Sequence, residues 1–423
     1  MRRESVTQRD TLTRRTLGNM THPSATPSIG DRVRAIRQRR GMSQRVLGEL
    51  IGQTRSSIAN YETGERLIDS RGLLLDLAGA LRVDVTDLTG LEQDRLDPTT
   101  AAFHAIVPDV ETVLFTRGNV TDQQTPRSLA ELAALAERVT LLRHNCDYVA
   151  IGPMLAPMLT DAYRHVHDAG TNEAWDVLAT VTYGVASALR ARGYHPLAWI
   201  AAQETARAAE HVDSAAQQAA AAFSQAQIML SRPGALPAAL ALTTRTAEQI
   251  ARDVHTVGEV ETAGMLHLQG SLVASIMGGD PRPYLDEAGE QVARLASAAP
   301  TVGTARNESF GAANLALWRM SAAMERGEAG EVLELAPTLR VAELPNDGRR
   351  AQYFVEIGRA QAAKKDYQSS LHSLLRAELA APQHVRSMTL VQELAGFMMR
   401  RASKALTTGD LGRFAQRVGA VPV

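Results

Sequence analysis

Arg55 and Asn60 stand five residues apart in the run GQTRSSIANYETGER, with Thr54 ahead of them and Ser56 and Ser57 between. A guanidinium offers a planar fork that matches O6 and N7 of guanine. A carboxamide can pair in the same two-point way with adenine. Ser56 and Ser57 can reach a base or a phosphate with little discrimination, and Thr54 can either touch DNA or cap a helix. Such chemistry needs one short helix offered end-on to a major groove, so the elements around it must hold that helix at a surface.

Those elements can be read locally. Ser28 is an N-cap candidate ahead of IGDRVRAIRQRRG, where Ile29, Val33 and Ile36 recur at helical spacing and Gly41 supplies a stop. A second helix starts at Ser43, with Val46, Leu47, Leu50 and Ile51 as its apolar stripe. Gly52 follows, where a tight helix-helix turn calls for positive φ. Thr54 opens the third helix, which turns Ile58 and Tyr61 inward. SRGLLLDLAGALRV and DVTDLTG complete five helices over residues 28–90.

Charge agrees with this placement. The chain has 423 residues and a net charge of −1, but residues 1–66 hold thirteen arginines against six carboxylates. That is a balance of +7, leaving −8 for the remainder. A basic head on an acidic trunk suits a polyanion partner for the head alone. Aromatics are 4% of the chain and alanine and leucine are plentiful, which favours closely packed helices over sheets. The single cysteine, Cys146, excludes an intrachain disulfide and fits a reducing, cytoplasmic setting. No apolar run is long enough to span a membrane.

The run GMSQRVLGELIGQTRSSIANYETGER resembles the phage-repressor/Cro type of helix-turn-helix, the XRE family, and LLLDLAGALRVDVTDL is similar to that family's closing helices. A gapless register sets Gln44, Gly48, Gly52 and Ile58 where the family has them. Alanine is usual in place of Gly48, which should cost roughly 1 kcal/mol of helix propensity. Arg37 and Glu62 occupy positions of a structural ion pair. The resemblance implies base contacts from Thr54, Arg55, Ser56, Ser57 and Asn60. It implies phosphate contacts at Ser43 and Gln44, where a helix N-terminus attracts anions, with Arg45 adding charge. It also implies a homodimer on a near-palindromic operator in double-stranded DNA.

The reading of the whole is all-α, a five-helix Cro/repressor-like DNA-binding domain followed by a TPR-like α-solenoid. Residues 1–27 are polar and expected to form a disordered basic arm, residues 28–90 the head, residues 91–105 a linker broken at Pro98, and residues 106–423 the helical trunk. Residues 353–382 resemble a tetratricopeptide repeat, with Gly358 in its first helix, Asp366-Tyr367 at the turn and Ser370 in its second. Further turns are expected near 193, 234, 279 and 327. Stacked helix pairs would present a concave face lined by their first helices. The resemblance to peptide-sensing and actinobacterial regulators implies that the trunk dimerises and binds an effector, such as a short peptide or other small molecule. Candidate lining residues are Tyr183, Gln269, Arg306, Asn307, Asn314 and Trp318. The alternative is a DNA-bound scaffold whose trunk recruits a protein partner. No catalytic constellation, metal site or cofactor is expected: without strands no phosphate loop forms, and His165 and His167, two apart on one helix, diverge.

Overall fold

The structure is a computed structural model that describes residues 27–90, 98–118, 125–212, 214–251, 256–297 and 310–420. Residues 1–26 of the expected arm, residues 91–97 of the expected linker, and the candidates Arg306 and Asn307 lie outside the described residues.

In the head, α1 (Ile29–Arg39) begins with a reciprocal capping box. Ser28 Oγ accepts the Asp31 N–H at 3.1 Å, and Asp31 Oδ2 accepts the Ser28 N–H at 3.2 Å. After Gly41, at φ +63, comes α2 (Gln44–Leu50), capped by Ser43. Gly52, at φ +66, makes the turn into α3 (Arg55–Glu62), capped by Thr54. Ser70 and Asp84 cap α4 (Arg71–Leu81) and α5 (Val85–Thr89). Ile29, Val33, Leu47, Ile58, Leu77, Leu81 and Leu88 form one core among them. Gly48 differs from the expectation of a mild propensity cost: a Cβ there would sit 2.5 Å from the Gln53 carbonyl oxygen, so the helix contact itself requires glycine.

The trunk opens with α6 (Pro98–His104) and α7 (Val107–Thr116). Part of the span read as linker is therefore helical: Pro98 starts a helix, a position its missing N–H tolerates, and Phe103 is buried in the trunk core. Among the described residues six helix pairs follow. They are α8 (Leu129–His144) with α9 (Tyr148–Asp168), α10 (Asn172–Ala191) with α11 (His195–Val212), and α12 (Ala215–Met229) with α13 (Leu236–Ala251). Then come α14 (Val257–Ile276) with α15 (Arg282–Ser297), α16 (Ala312–Glu325) with α17 (Ala329–Leu335), and α18 (Asp347–Ala363) with α19 (Tyr367–Ala380). The chain closes with α20 (Pro382–Ser387), α21 (Thr389–Arg401), α22 (Lys404–Thr408) and α23 (Asp410–Arg417). Each first helix of a pair packs on the first helix of the next, from α8 through α18, which gives the stack a continuous inner layer.

The turns inside the pairs fall where glycine punctuates the sequence. Gly193, Gly234, Gly278 and Gly327 have positive φ, and Lys365 takes the same left-handed conformation at φ +65. In the pair α18/α19, Ser370 Oγ donates to the Gly358 carbonyl at 2.7 Å, so both small residues are explained by one close approach.

Head and trunk are packed together. Leu75 of α4 belongs to a hydrophobic cluster with Leu268, Leu272 and Ile276 of α14 and Trp318 of α16. A Cβ on Gly72 would come within 2.6 Å of the Ile276 carbonyl oxygen. Polar contacts reinforce the seat. Glu393 Oε1 accepts the Ile29 N–H at 3.0 Å, Arg401 Nη2 donates to the Glu65 carbonyl at 2.6 Å, and Arg359 donates to the Asp69 carbonyl.

Candidate nucleic-acid interface

The inward face of α3 carries Ile58 and Tyr61, both in the head core, and this fixes what the outward face presents. Arg55, Ser56 and Asn60 are exposed, and Ser57 is partly so. Among the described residues the Arg55 guanidinium has no hydrogen bond or ion pair, so it is free to meet a ligand. Thr54 is different: its Oγ1 accepts the Ser57 N–H at 3.1 Å and lies 2.9 and 3.0 Å from the hydroxyls of Ser56 and Ser57. Capping is its visible role.

At α2, Ser43 is exposed and caps the helix through the Val46 N–H, while Arg45 pairs with Glu49 one turn on. Gln44 is partly buried, and its Nε2 donates to Glu62 Oε2 at 2.8 Å. Its amide thus serves an internal network. That network centres on Glu62, which receives Arg37 Nε and Nη2 at 2.5 and 2.8 Å in a bidentate fork. Arg37 Nη1 also donates to the Met42 carbonyl at 2.7 Å, and Arg34 Nη2 to the Glu62 carbonyl at 2.6 Å. The hydrogen-bonded Glu62 carboxylate raises the Arg37 pKa further above its usual range. One buried pair therefore ties α1, the start of α2 and the end of α3 into one unit.

The trunk's inner layer lines a half-open cavity of about 360 Å³. Tyr183 and Trp318 line it, as does Arg71, the first residue of α4 in the head. Gln269 and Asn314 lie one layer behind. Gln269 is fully buried and accepts from Gln227, which does line the cavity, and Asn314 Nδ2 donates to Met265 Sδ at 3.4 Å. The structure thus brings together two of the four described candidates and adds residues the sequence did not mark: Arg143, Arg190, Arg349, His144, His195 and His384. They arrive from α8, α10, α11, α18 and α20, and no sequence spacing links them.

Residues 28–106 match the sequence-family model described as a helix-turn-helix domain. The head is a helix-turn-helix domain. No curated protein matches the chain. Among solved structures it is similar to the crystal structure of Bacillus thuringiensis PlcR in complex with the peptide PapR7 and DNA. That likeness has 13% identity and a TM-score of 0.33, covering 81% of this chain and 99% of that one.

Outside the helix-turn-helix domain, the histidines that drew attention in the sequence have separate duties. His165 Nε2 contacts the Arg127 carbonyl at 2.6 Å, and His167 Nε2 the Arg117 carbonyl at 3.1 Å. Cys146 is buried, and burial pushes its thiol up to about 11. Among the described residues no three metal-binding side chains come together, and no helix is long and apolar enough to cross a membrane.

The cavity histidines give a pH dependence. Burial pulls His144, His195 and His384 down to about 4. Neighbouring charge adds to this: Arg143 and Arg349 for His144, Arg190 and Arg232 for His195 (with Asp84 opposing), and Arg190, Arg192 and Arg349 for His384. A folded-state pKa below the unfolded value means that the unfolded chain takes up protons first as pH falls. Stability should therefore drop between about pH 6.5 and pH 4, by on the order of 1–3 kcal/mol for each histidine. Thermal unfolding of the full chain at about pH 7 and pH 5 should show a lower midpoint at the acidic value. An unchanged midpoint would mean that the three rings take up protons in the fold as readily as in the unfolded chain.

Proposed function

We infer that the chain is a transcription regulator whose helix-turn-helix domain binds duplex DNA as a homodimer on a near-palindromic site, under control of a small effector held by the trunk. The observation that carries the DNA reading is α3 itself: one face is locked in the head core, and the other exposes Arg55, Ser56 and Asn60. The concave cavity on the inner layer favours an effector over a purely protein-recruiting platform, because a half-open recess of about 360 Å³ is of the size that takes a small molecule.

Selection of duplexes from a random library by the full chain at low salt tests this reading. Enriched sequences should contain two inverted half-sites whose centres lie about 34–36 Å apart, one helical turn, or a multiple of it. No enrichment, or a lone half-site bound by a monomer, would overturn it.

A further inference from the structure

Three arginines reach the trunk cavity with no carboxylate to meet them among the described residues. Arg143, Arg190 and Arg349 line it from α8, α10 and α18, and no aspartate or glutamate is among the lining residues. Among the described residues the Arg190 guanidinium has no hydrogen bond or ion pair. The Arg349 guanidinium lies over the Trp318 ring, 5.4 Å from its centroid, and Arg143 lies 5.7 Å from that of Tyr183. Arg143 Nη2 donates to His144 Nε2 at 3.2 Å, yet its Nε is buried without a partner, as is the Trp318 indole N–H.

Elsewhere in this chain the buried Arg37 meets Glu62 and the buried Arg359 meets Glu356, while the buried Arg192 donates to the Gln383 carbonyl. A cluster of three arginines without an acid is thus set apart from the acid-paired Arg37 and Arg359. It is also costly, because neighbouring like charges repel and burial disfavours the charged forms of Arg190 and Arg349. Burial, with Arg143 and Arg190 beside it, pulls Arg349 down to about 10, which still leaves it charged at neutral pH.

We propose that this cavity binds a small molecule bearing at least two negative charges, a phosphate ester or a polycarboxylate, gripped by Arg143, Arg190 and Arg349. The proposal rests on the reading of the trunk as the effector-binding body and names its ligand class. A single carboxylate would satisfy one guanidinium fork, whereas three converging forks call for several anionic oxygens. The rings of Tyr183 and Trp318, which also line the cavity, hold the guanidinium groups of Arg143 and Arg349 in place. Arg71 completes the wall. Its backbone N–H and Nη1 are both held by Glu325 at 2.7 Å, so an anion in the cavity competes with Glu325 for the first residue of α4. Occupancy then acts directly on the seat of the helix-turn-helix domain.

The test is thermal unfolding of the full chain with sodium pyrophosphate and with citrate, each against sodium chloride at matched ionic strength. The expected result is a saturable rise of the midpoint by several degrees. A rise with pyrophosphate alone assigns a phosphate ester, and one with citrate alone a polycarboxylate. Arg190→Met and Arg349→Met should each melt higher than the wild type without the anion, since an unpaired charge is removed, and should bind it at least about ten-fold more weakly. No saturable rise with either anion, an equal rise in the variants, or a lower anion-free midpoint in both would overturn the proposal. Titration calorimetry of pyrophosphate and citrate into the wild type answers the binding question should a variant fail to fold. None of these readouts uses DNA, so failure here leaves duplex selection untouched, and failed selection leaves this result standing.

Discussion

Glu62→Ala is expected to unfold the helix-turn-helix domain and abolish binding to every duplex alike. The substitution removes both acceptors of the Arg37 fork and the acceptor of the Gln44 amide. Arg37 is only 8% exposed, so its charge would be left without compensation inside the head. Orphaning one member of a buried pair costs about 3–5 kcal/mol. A domain of this size has little more than that to lose. Amide hydrogen exchange should show early loss of protection in α1, α2 and α3, with the trunk pairs still protected. The double variant Arg37→Met, Glu62→Leu should regain most of the lost stability, because an apolar pair of similar volume carries no desolvation cost. A folded Glu62→Ala head with an altered sequence preference would show that the pair reads DNA.

Salt should act on binding with comparable force. Thirteen arginines against six carboxylates make residues 1–66, the expected arm together with the first helices of the head, the basic part of the chain that should release counterions, while the rest is acidic. For a dimer making about six to ten phosphate contacts, affinity should fall by roughly 10³–10⁵ between 50 and 200 mM salt. Fluorescence anisotropy over that range gives the slope directly. A flat response would mean that the arginines are spent on other partners. Some are visibly spent: Arg45 on Glu49, Arg37 on Glu62, and Arg66 against the Tyr61 ring. Arg55 is not.

The head was legible because its signals are local. Ser28 with Asp31, Thr54, Ser70 and Asp84 each satisfy backbone donors within three residues, and Gly41 and Gly52 mark positions where φ turns positive. The trunk's turns were legible for the same reason, as was the small-residue contact of Gly358 with Ser370. What escaped is long-range. Leu75 and Gly72 read as ordinary members of a head helix, yet they pack against α14. A reading that separated head from trunk by a linker could not see that. The arginine cluster escaped likewise, since α8, α10 and α18 meet only in the stack. Gln269 sits on the right helix but behind the cavity wall. α14 is buried from Glu261 to Ile276 except at the partly exposed His267, so hydrophobic periodicity does not say which face looks inward. Gly48 was seen as a departure, but its cause, the Gln53 carbonyl across the turn, needed coordinates.

Arg55→Ala, compared with the wild-type full chain on the selected duplex and on its single-base variants, tests the central claim most directly. The account expects a loss of about 1–3 kcal/mol on the selected duplex, with discrimination erased at one base pair and retained at the others. Equal weakening on every duplex would reduce Arg55 to a phosphate contact, and unchanged binding would contradict the presentation of α3 to DNA altogether.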